Sequence, residues 1–287
     1  MKNFLLNVFI GLTCLFCTGC FQHRLTQIES AANDLKKNPA DQNALNTLVR
    51  FLDDNDAYLR AQAVIALGNL GDSHASALGP KVVPLLVKGL KDNGGAVRRN
   101  AVLALSHYKS FAPLAVTNLI EIISKFPSHD SSWFAADLLG DIGTNAVIAV
   151  PALVVALNYR PSGNSGYENM LSEHAAEALY KISPYASDTS PQLNPILKSL
   201  NGHAKLYSSL AALRKNQQNP VASESIAEVL QSDDAGLVIS ALRELQNLDV
   251  KTFGNPLIPA IIECSNHTNV NISTLARKIN SDTRAGP

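Results

Sequence analysis

The chain contains 287 residues, with 24 basic and 24 acidic side chains and no net formal charge. It has no basic run and no acidic tail, which argues against nucleic-acid binding and against a polybasic contact with a membrane surface. Charged residues form 17% of the chain and apolar residues 46%, whereas charged residues usually form about 25%. Aromatic residues are few, at 6%, while alanine and leucine are abundant. This composition is typical of closely packed helices.

The first segment has the features of a secretory signal peptide. Lys2 gives a short positive start, residues 4–16 form a nearly unbroken apolar run, and no acidic residue precedes Glu29. A membrane-spanning helix needs about 20 apolar residues, so a permanent span is the weaker interpretation. Three cysteines and a histidine at three-residue spacing would also suit a zinc or iron–sulfur site: Cys14, Cys17, Cys20 and His23. The apolar surroundings favour the signal peptide.

The end of this segment, F-C-T-G-C at 16–20, resembles a bacterial lipobox. The resemblance implies cleavage between Gly19 and Cys20 and a diacylglycerol thioether on Cys20. Cys17 departs from the pattern, because leucine is usual at that position. The alternative is an ordinary signal peptide cut near Gly19, which would leave a free thiol. With a lipid anchor the protein would be exported and attached to the cell envelope. Because Phe21 rather than aspartate follows the cysteine, a double-membraned bacterium would place it on the outer membrane, facing the periplasm.

An internal repeat dominates the rest of the chain. Six segments share one register, in which a small residue is followed four positions later by leucine, and successive leucines are 32 to 40 residues apart. The segments are 59–71, 97–109, 131–143, 171–183, 205–217 and 237–249, and a weaker copy lies at 271–280. Their small-residue and leucine pairs are Ala63 and Leu67, Ala101 and Leu105, Ala135 and Leu139, Ala175 and Leu179, Ser209 and Leu213, and Ala241 and Leu245. A small residue at this position lets two helix backbones approach closely.

A second set of apolar segments alternates with the first, at 82–90, 118–123, 151–157, 194–200, 225–230 and 256–262. Their helical spacing, and the proline that begins several of them, predict a first helix in each repeat. Turns rich in Asp and Gly join the two helices, and an aspartate there can cap the following helix. Gly71, Gly143 and Pro184 are predicted to end second helices. Each unit is therefore a helical hairpin that must stack on its neighbours to bury both apolar stripes. A non-repetitive helical bundle is the alternative.

These copies resemble HEAT repeats, and more narrowly the short bacterial type related to phycocyanobilin-lyase repeats. The element V-R-x-x-A is intact as Leu59-Arg60-x-x-Ala63 and Val97-Arg98-x-x-Ala101. The resemblance implies an all-α fold, an α-α superhelix in which six to seven hairpins form a solenoid over residues 45–280. The remaining segments are the signal peptide (1–19), a lipidated N-terminus with a capping helix (20–44, the helix at 25–36) and a flexible tail (281–287). An insertion at 160–166 is predicted to be a flexible loop, with a binding loop as the alternative.

No catalytic motif stands out after the signal peptide. The seven histidines lie apart from one another near turns, as expected of solvated residues. Cys264 lies in a core-like helix, so we expect a buried thiol rather than a reactive one. We therefore expect no enzyme activity, no metal and no cofactor.

Five residues are candidates for partner binding: Tyr58, Arg60, Arg98, Arg99 and Trp133. They fall at the starts of second helices, which line the inner face in HEAT-like stacks, so the resemblance implies that some of them form one ridge. Tryptophan and arginine are enriched at binding hot spots. The alternative for the arginines is pairing with carboxylates of the turns: Asp54, Asp56 or Asp92. The alternative for the tryptophan is a place in the core.

The sequence therefore predicts a membrane-anchored scaffold that binds a protein or peptide and is not an enzyme. One alternative is a lyase-like or cofactor-handling protein, by analogy with the lyase-related repeats. Another is a purely structural protein of the envelope.

Overall fold

The computed structural model describes residues 2–160, 169–248 and 256–284, and the side chains within these ranges from Cys20 to Ser281. Over these ranges the chain is helical and contains no β-strand. It divides into two compact units, residues 1–118 and 119–287, which we call unit 1 and unit 2. The predicted all-α fold is confirmed.

Unit 1 contains a long N-terminal helix followed by two helical hairpins. Its elements are α1 (Lys2–Lys37), α2 (Gln42–Leu52), α3 (Ala57–Gly68), α4 (Gly71–Gly89), α5 (Gly95–Ser106) and a 3-10 helix (Ala112–Ala115). In each hairpin the two helices contact each other, and the second helices α3 and α5 pack side by side. The helix expected over 25–36 is the C-terminal part of α1, which packs against α2 and α3 through buried Ile28, Ala31 and Leu35.

The remaining elements form five further hairpins. They are α6 (Val116–Lys125), which contains the boundary between the units, α7 (Asp130–Ile142), a 3-10 helix (Gly143–Ala149), α8 (Val150–Leu157), α9 (Met170–Ile182), α10 (Ser190–Leu197), α11 (Gly202–Leu213), α12 (Pro220–Leu230), α13 (Ala235–Leu245), α14 (Leu257–Cys264) and α15 (Val270–Arg284). The insertion expected at 160–166 lies, apart from Arg160, outside the described residues. The tail expected to be flexible from 281 is helical as far as Arg284.

The repeating small residue and leucine form the centre of each second helix. All twelve of these side chains, including the serine of the fifth copy, are at most 1% exposed. Burying a leucine side chain contributes about 1.5–3 kcal/mol relative to leaving it in water. The four-residue spacing therefore marks the face that packs on neighbouring helices, as the sequence predicts.

Glycine permits the closest contacts between second helices. A Cβ atom on Gly68 of α3 would lie 2.7 Å from the Cβ of Ala104 in α5. A Cβ atom on Gly140 of α7 would lie 2.9 Å from the Cα of Ala178 in α9. Such separations are too short for carbon atoms, so both helix pairs need glycine at this place to approach as they do.

One of the predicted helix ends differs from the expectation. Gly143, with φ of 63°, ends α7 as predicted. The prediction that Gly71 ends α3 is wrong, because α3 ends at Gly68 and Gly71 begins α4. Glycine is required there by packing, since a Cβ atom would lie 2.8 Å from the Cβ of His107. Pro84 lies inside α4, a helix of 19 residues with one non-helical residue, His74, near its start.

Aspartates cap second helices at some turns and not at others. The Asp56 carboxylate accepts a hydrogen bond from the N–H of Tyr58 at the start of α3, and Asp234 does the same for α13. Asp92 does not cap α5, whose N-cap is Gly94. Its carboxylate instead belongs to the ion pair described below.

One stretch within the described ranges, 130–157, is long and apolar enough to cross a membrane by length and composition alone. It is not one continuous α-helix, because the positive φ of Gly143 separates α7 from the 3-10 helix and α8. Its apolar residues include Ala135 and Leu139, which are fully buried in the fold. Packing in the core accounts for part of the apolar character of this stretch.

Candidate functional site

Arg60 joins the turns of the two hairpins in unit 1. It lies in α3, where its Nε and Nη2 donate to Oδ2 and Oδ1 of Asp92 at 2.8 and 2.9 Å. Its Nη1 also donates to the backbone carbonyl oxygens of Asp54 and Asn55, at 2.8 and 3.2 Å. A two-pronged arginine–carboxylate contact is stronger and more directional than a single ion pair. Among the three turn carboxylates considered from sequence, Asp92 is the one that Arg60 binds.

The pair is fully ionised at neutral pH. Burial alone would raise the pKa of the Asp92 carboxyl, but the hydrogen bonds from Arg60 and from the N–H of Gly94 outweigh it and lower that pKa. The hydrogen bond to Asp92 in turn raises the pKa of the Arg60 guanidinium. The two side chains are 16% and 14% exposed, so water screens the pair only in part.

A similar ion pair occurs one repeat earlier in the chain. Arg24 of α1 forms an ion pair with Asp54, as Arg60 does with Asp92, and its guanidinium lies 6.0 Å from the centre of the Phe51 ring. Arg24 was not predicted from the sequence, because Gln27 replaces the small residue of V-R-x-x-A there. Arg24 and Arg60 are 36 residues apart in the chain, which is within the range of the repeat lengths, and this spacing could have identified Arg24.

Arg98 repeats the backbone part of the Arg60 contact. Its Nη1 donates to the carbonyl oxygens of Asp92 and Asn93 at 2.8 and 2.9 Å, six and five residues earlier in the chain. Arg98 is 5% exposed. Arg60 thus pairs with a turn carboxylate, as the structural alternative predicts. Arg98 holds its turn through backbone carbonyl oxygens.

A cleft of about 470 Å³ lies between these two turns. Apolar side chains and Arg60 line it together with the polar residues of both turns and the end of α4: Asp53, Asp54, Asn55, Lys88, Lys91, Asp92 and Asn93. Its charges are largely paired, since the Lys88 Nζ lies 2.5 Å from Oδ1 of Asp53 in addition to the pairs above. Apart from the Lys91 ammonium, the cleft therefore offers mainly backbone and amide groups to a ligand.

The other two candidates of unit 1 are more accessible. Tyr58 is 53% exposed, and its ring centre lies 5.8 Å from that of Phe21 in α1. Arg99 is half-buried in α5. Trp133 belongs to unit 2 and is half-buried in α7. Its burial is intermediate between an exposed anchor and a core position, the two alternatives considered from sequence.

Trp133 takes part in a set of contacts that crosses two second helices of unit 2. Its ring is stacked on that of His174 in α9, with 6.5 Å between ring centres and 8° between ring planes. The Nδ1 atom of His174 lies 2.6 Å from Oδ1 of Asp137, and this hydrogen bond raises the pKa of the histidine although burial opposes it. The expectation that the histidines are solvated turn residues is wrong for His174, which lies in a helix and is half-buried.

Further polar groups extend this surface along α9 and onto α11. Glu173 and Glu177 flank His174 and act on it electrostatically. Burial raises the pKa of Tyr207 in α11, and the charge of Glu177 raises it further. We call these six half-buried side chains the aromatic–acidic face: Trp133, Asp137, Glu173, His174, Glu177 and Tyr207. Of these six residues, only Trp133 was a candidate from the sequence.

Three side chains, Tyr180, Arg214 and Glu244, form a clamp that supports one end of this face. The Tyr180 hydroxyl donates to Oε2 of Glu244 in α13 at 2.6 Å, and the Arg214 guanidinium lies 3.8 Å from the centre of the Tyr180 ring. Burial and the bond to Glu244 raise the pKa of Tyr180 to about 12. The Tyr207 ring lies 5.7 Å from that of Tyr180, so the clamp fixes the position of Tyr207.

No group of three or more His, Cys, Asp or Glu side chains is arranged to hold a metal ion in the part of the chain that the structure describes. Cys264 is 5% exposed, its thiol lies 3.7 Å from the carbonyl oxygen of Leu230, and burial raises its pKa. It is a buried thiol, as the sequence predicts. Cys20, the predicted lipid attachment point, is exposed.

Comparison with known proteins identifies the type of repeat. Residues 45–130 match the family model for HEAT repeats, and no curated protein matches the chain. The structure of the complex of CpcE and CpcF of phycocyanin lyase from Nostoc sp. PCC7120 is 23% identical, with a TM-score of 0.50 over 83% of this chain and 86% of the other. An engineered protein is 18% identical, with a TM-score of 0.55 over 93% of this chain and 75% of the other.

At these identities the likeness concerns the fold alone. HEAT repeats are thus present at residues 45–130, and each unit has an all-α fold of stacked helical hairpins.

Proposed function

We propose that this protein is a lipid-anchored, non-enzymatic scaffold of the bacterial cell envelope, which binds a protein or peptide through the aromatic–acidic face. The observation that carries the proposal is the continuity of that face. Trp133, His174 and Tyr207 come from three successive second helices, and each is half-buried with part of its surface open to solvent. Rings held by neighbours lose little conformational entropy on binding, which suits them to act as anchors.

The polar groups of unit 1 support a structural role rather than catalysis. Arg60 and Asp92 satisfy each other, and Arg98 donates to turn carbonyls, so these groups hold hairpins together. Catalysis would need a group that is poised to exchange a proton or attack a substrate. Assay of the purified protein against generic esterase, phosphatase and peptidase substrates should give no turnover above a boiled control.

The lipid anchor is supported by the sequence at 16–20 and by the exposure of Cys20. Two or more acyl chains make attachment to a membrane stable. Replacing Cys20 with Ser should abolish labelling by palmitate and release the protein from the membrane pellet. A Cys20→Ser protein that is still labelled and still sediments with membranes would refute the anchor.

Partner binding is tested by crosslinking in the native cells. A benzophenone amino acid placed at position 173, on the aromatic–acidic face, should form a discrete crosslinked band that mass spectrometry assigns to one protein. The matched control places the same group at Asp233, which is exposed in unit 2 outside this face. Equal crosslinking from both positions would contradict the proposed binding surface. Trp133→Ala should weaken capture, whereas Arg60→Ala should lower the melting temperature and leave capture unchanged.

A lyase-like or cofactor-handling role is the second candidate. It is favoured by the 470 Å³ cleft of unit 1, in which backbone and amide groups converge, and by the fold that the chain shares with the phycocyanin lyase complex. Protein purified from its own cells would then carry a small molecule that is visible by absorbance or native mass spectrometry. A colourless protein with the mass of the polypeptide and its lipid alone would exclude this candidate.

A further inference from the structure

The aromatic–acidic face carries a surplus of negative charge. It contains three carboxylates, from Asp137, Glu173 and Glu177, against the single histidine. The nearby Lys181 also has more acidic neighbours than it can neutralise, because its Nζ lies 3.0 Å from Asp141 and 3.1 Å from Glu177. Four carboxylates thus share one lysine and one histidine.

These carboxylates retain capacity to accept hydrogen bonds. An ionised carboxylate has about four acceptor sites. Within the described ranges Glu173 forms no side-chain hydrogen bond and no ion pair, and Glu177 is bonded only to the lysine. Glu173 and Glu177 are four residues apart in α9, so they lie on the same side of the helix, next to the stacked rings.

The rings favour the same kind of ligand. The face of an aromatic ring attracts a cation, with a gain of about 0.5–2 kcal/mol that rises when water is excluded. The second helices of unit 1 have the opposite character, because their charged side chains are all arginines: Arg60, Arg98 and Arg99. The acidic surface is therefore a local feature of α7 and α9 and does not follow from the repeat itself.

We infer that the aromatic–acidic face binds a basic polypeptide segment, with lysine or arginine side chains of the partner between the carboxylates of α9 and the neighbouring rings. This inference rests on the scaffold function proposed above and specifies the chemistry of the partner. Carboxylates and aromatic rings at half-buried positions attract a cation more strongly than the same groups in bulk water. Nucleic acid and anionic lipid carry the wrong charge for this face.

The test uses the full chain in detergent and two labelled peptides. One is a twelve-residue peptide with four Lys or Arg residues among Ala, Ser and Tyr, and the other has Gln in place of each basic residue. Fluorescence anisotropy should give at least about tenfold tighter binding of the basic peptide, and the advantage should shrink as salt is raised. The double variant Glu173→Gln with Glu177→Gln should remove most of the advantage, because Lys181 keeps Asp141 and the fold is preserved.

A matched control removes two charges elsewhere in unit 2. Asp233→Asn with Glu263→Gln changes exposed acids outside the face and should leave the peptide preference intact. The inference is overturned if both peptides bind equally, or if the control loses the preference as fully as the double variant does. Unaltered melting of both variants shows that the comparison concerns binding.

Failure of the scaffold function and failure of the basic-partner inference give different results. If crosslinking from position 173 captures a protein while both peptides bind equally, the scaffold stands and the basic partner is wrong. If the basic peptide is preferred but the cells yield no crosslinked protein, the chemistry of the face stands and the scaffold function is wrong.

Discussion

Replacing Arg60 with Ala should destabilise unit 1 without affecting partner capture. The change removes two hydrogen bonds to the Asp92 carboxylate and two to carbonyl oxygens of the preceding turn. It also leaves a carboxylate that is only 14% exposed without its counter-ion. Because the contact with Asp92 joins one hairpin to the next, its loss should reduce the stacking energy between hairpins rather than the helicity of either one.

The magnitude follows from the burial of the pair. Breaking a fully buried ion pair by removing one partner costs about 3–5 kcal/mol, whereas an exposed pair contributes about 0–1 kcal/mol. At 16% and 14% exposure the Arg60–Asp92 pair is nearer the buried limit, so we expect a loss of about 2–4 kcal/mol. A loss of 1 kcal/mol lowers the melting temperature of a domain of this size by about 2–4 °C, which gives roughly 5–15 °C here.

Lys88→Ala is the matched control. Lys88 also pairs with an aspartate of the same cleft, but its side chain is 63% exposed and that of Asp53 is 62% exposed. We expect a loss of less than about 1 kcal/mol. Circular dichroism melts give the overall effect, and hydrogen exchange of α2 to α5 assigns it to unit 1. If Arg60→Ala and Lys88→Ala melt alike, the pair with Asp92 does not join the hairpins.

The pH dependence supplies an independent check. The folded protein lowers the pKa of Asp92 below its ordinary value of 3.8, so the pair stabilises the fold at pH values above that and loses this contribution as pH falls through the folded pKa. The stability difference between wild type and Arg60→Ala should therefore be constant near neutrality and shrink below about pH 4. A difference that is unchanged at pH 3 would contradict the assignment of the pair.

Three further predictions concern unit 2. Ser209→Ala should stabilise the protein by about 1–3 kcal/mol in a denaturant melt, because the hydroxyl is fully buried without a hydrogen-bond partner and the other strong copies carry alanine there. Gly140→Val should cost at least about 1–3 kcal/mol and lower the melting temperature, since even a Cβ atom would meet the backbone of Ala178 at 2.9 Å. The pair of His174 with Asp137 raises the pKa of the histidine above 6.5, so it stabilises unit 2 fully below pH 6.5 and loses this contribution as pH rises through the folded pKa. His174→Gln should remove that pH dependence from the melting temperature.

Each of these has an outcome that contradicts it. A lower stability of Ser209→Ala would show that the hydroxyl is bonded in solution. A neutral Gly140→Val would mean that the second helices can separate at little cost. Identical pH profiles for wild type and His174→Gln would show that the histidine titrates at its ordinary pKa.

The repeat itself could be predicted from the sequence. Ala175 and Leu179, like their counterparts in the other copies, mark a buried helix face because the 3.6-residue period is a local property of the chain. The same holds for the capping aspartates Asp56 and Asp234, whose bonds reach only two or three residues along the chain. Features that depend on a few consecutive residues were therefore accessible without the fold.

The partners of the charged and aromatic residues could not be predicted from the sequence. Arg60 could have paired with any of three aspartates. The offset between hairpins decided that its partner is Asp92, 32 residues away. Tyr180 and Glu244 are 64 residues apart and meet only because α9, α11 and α13 lie side by side. Trp133 was a candidate anchor with a core position as the alternative, but the sequence held no sign that His174 would stack on it.

The sequence determined which residues face the core, since hydrophobic spacing along one helix fixes that helix's buried side. Only the tertiary structure decided which exposed side chains meet, because that depends on the distance and rotation between neighbouring helices. Those are set by close contacts such as Gly140 against Ala178, where the absence of one side chain lets α7 and α9 approach. A contact of this kind shifts every residue along both helices together, which is why the aromatic–acidic face appears only once the hairpins are stacked.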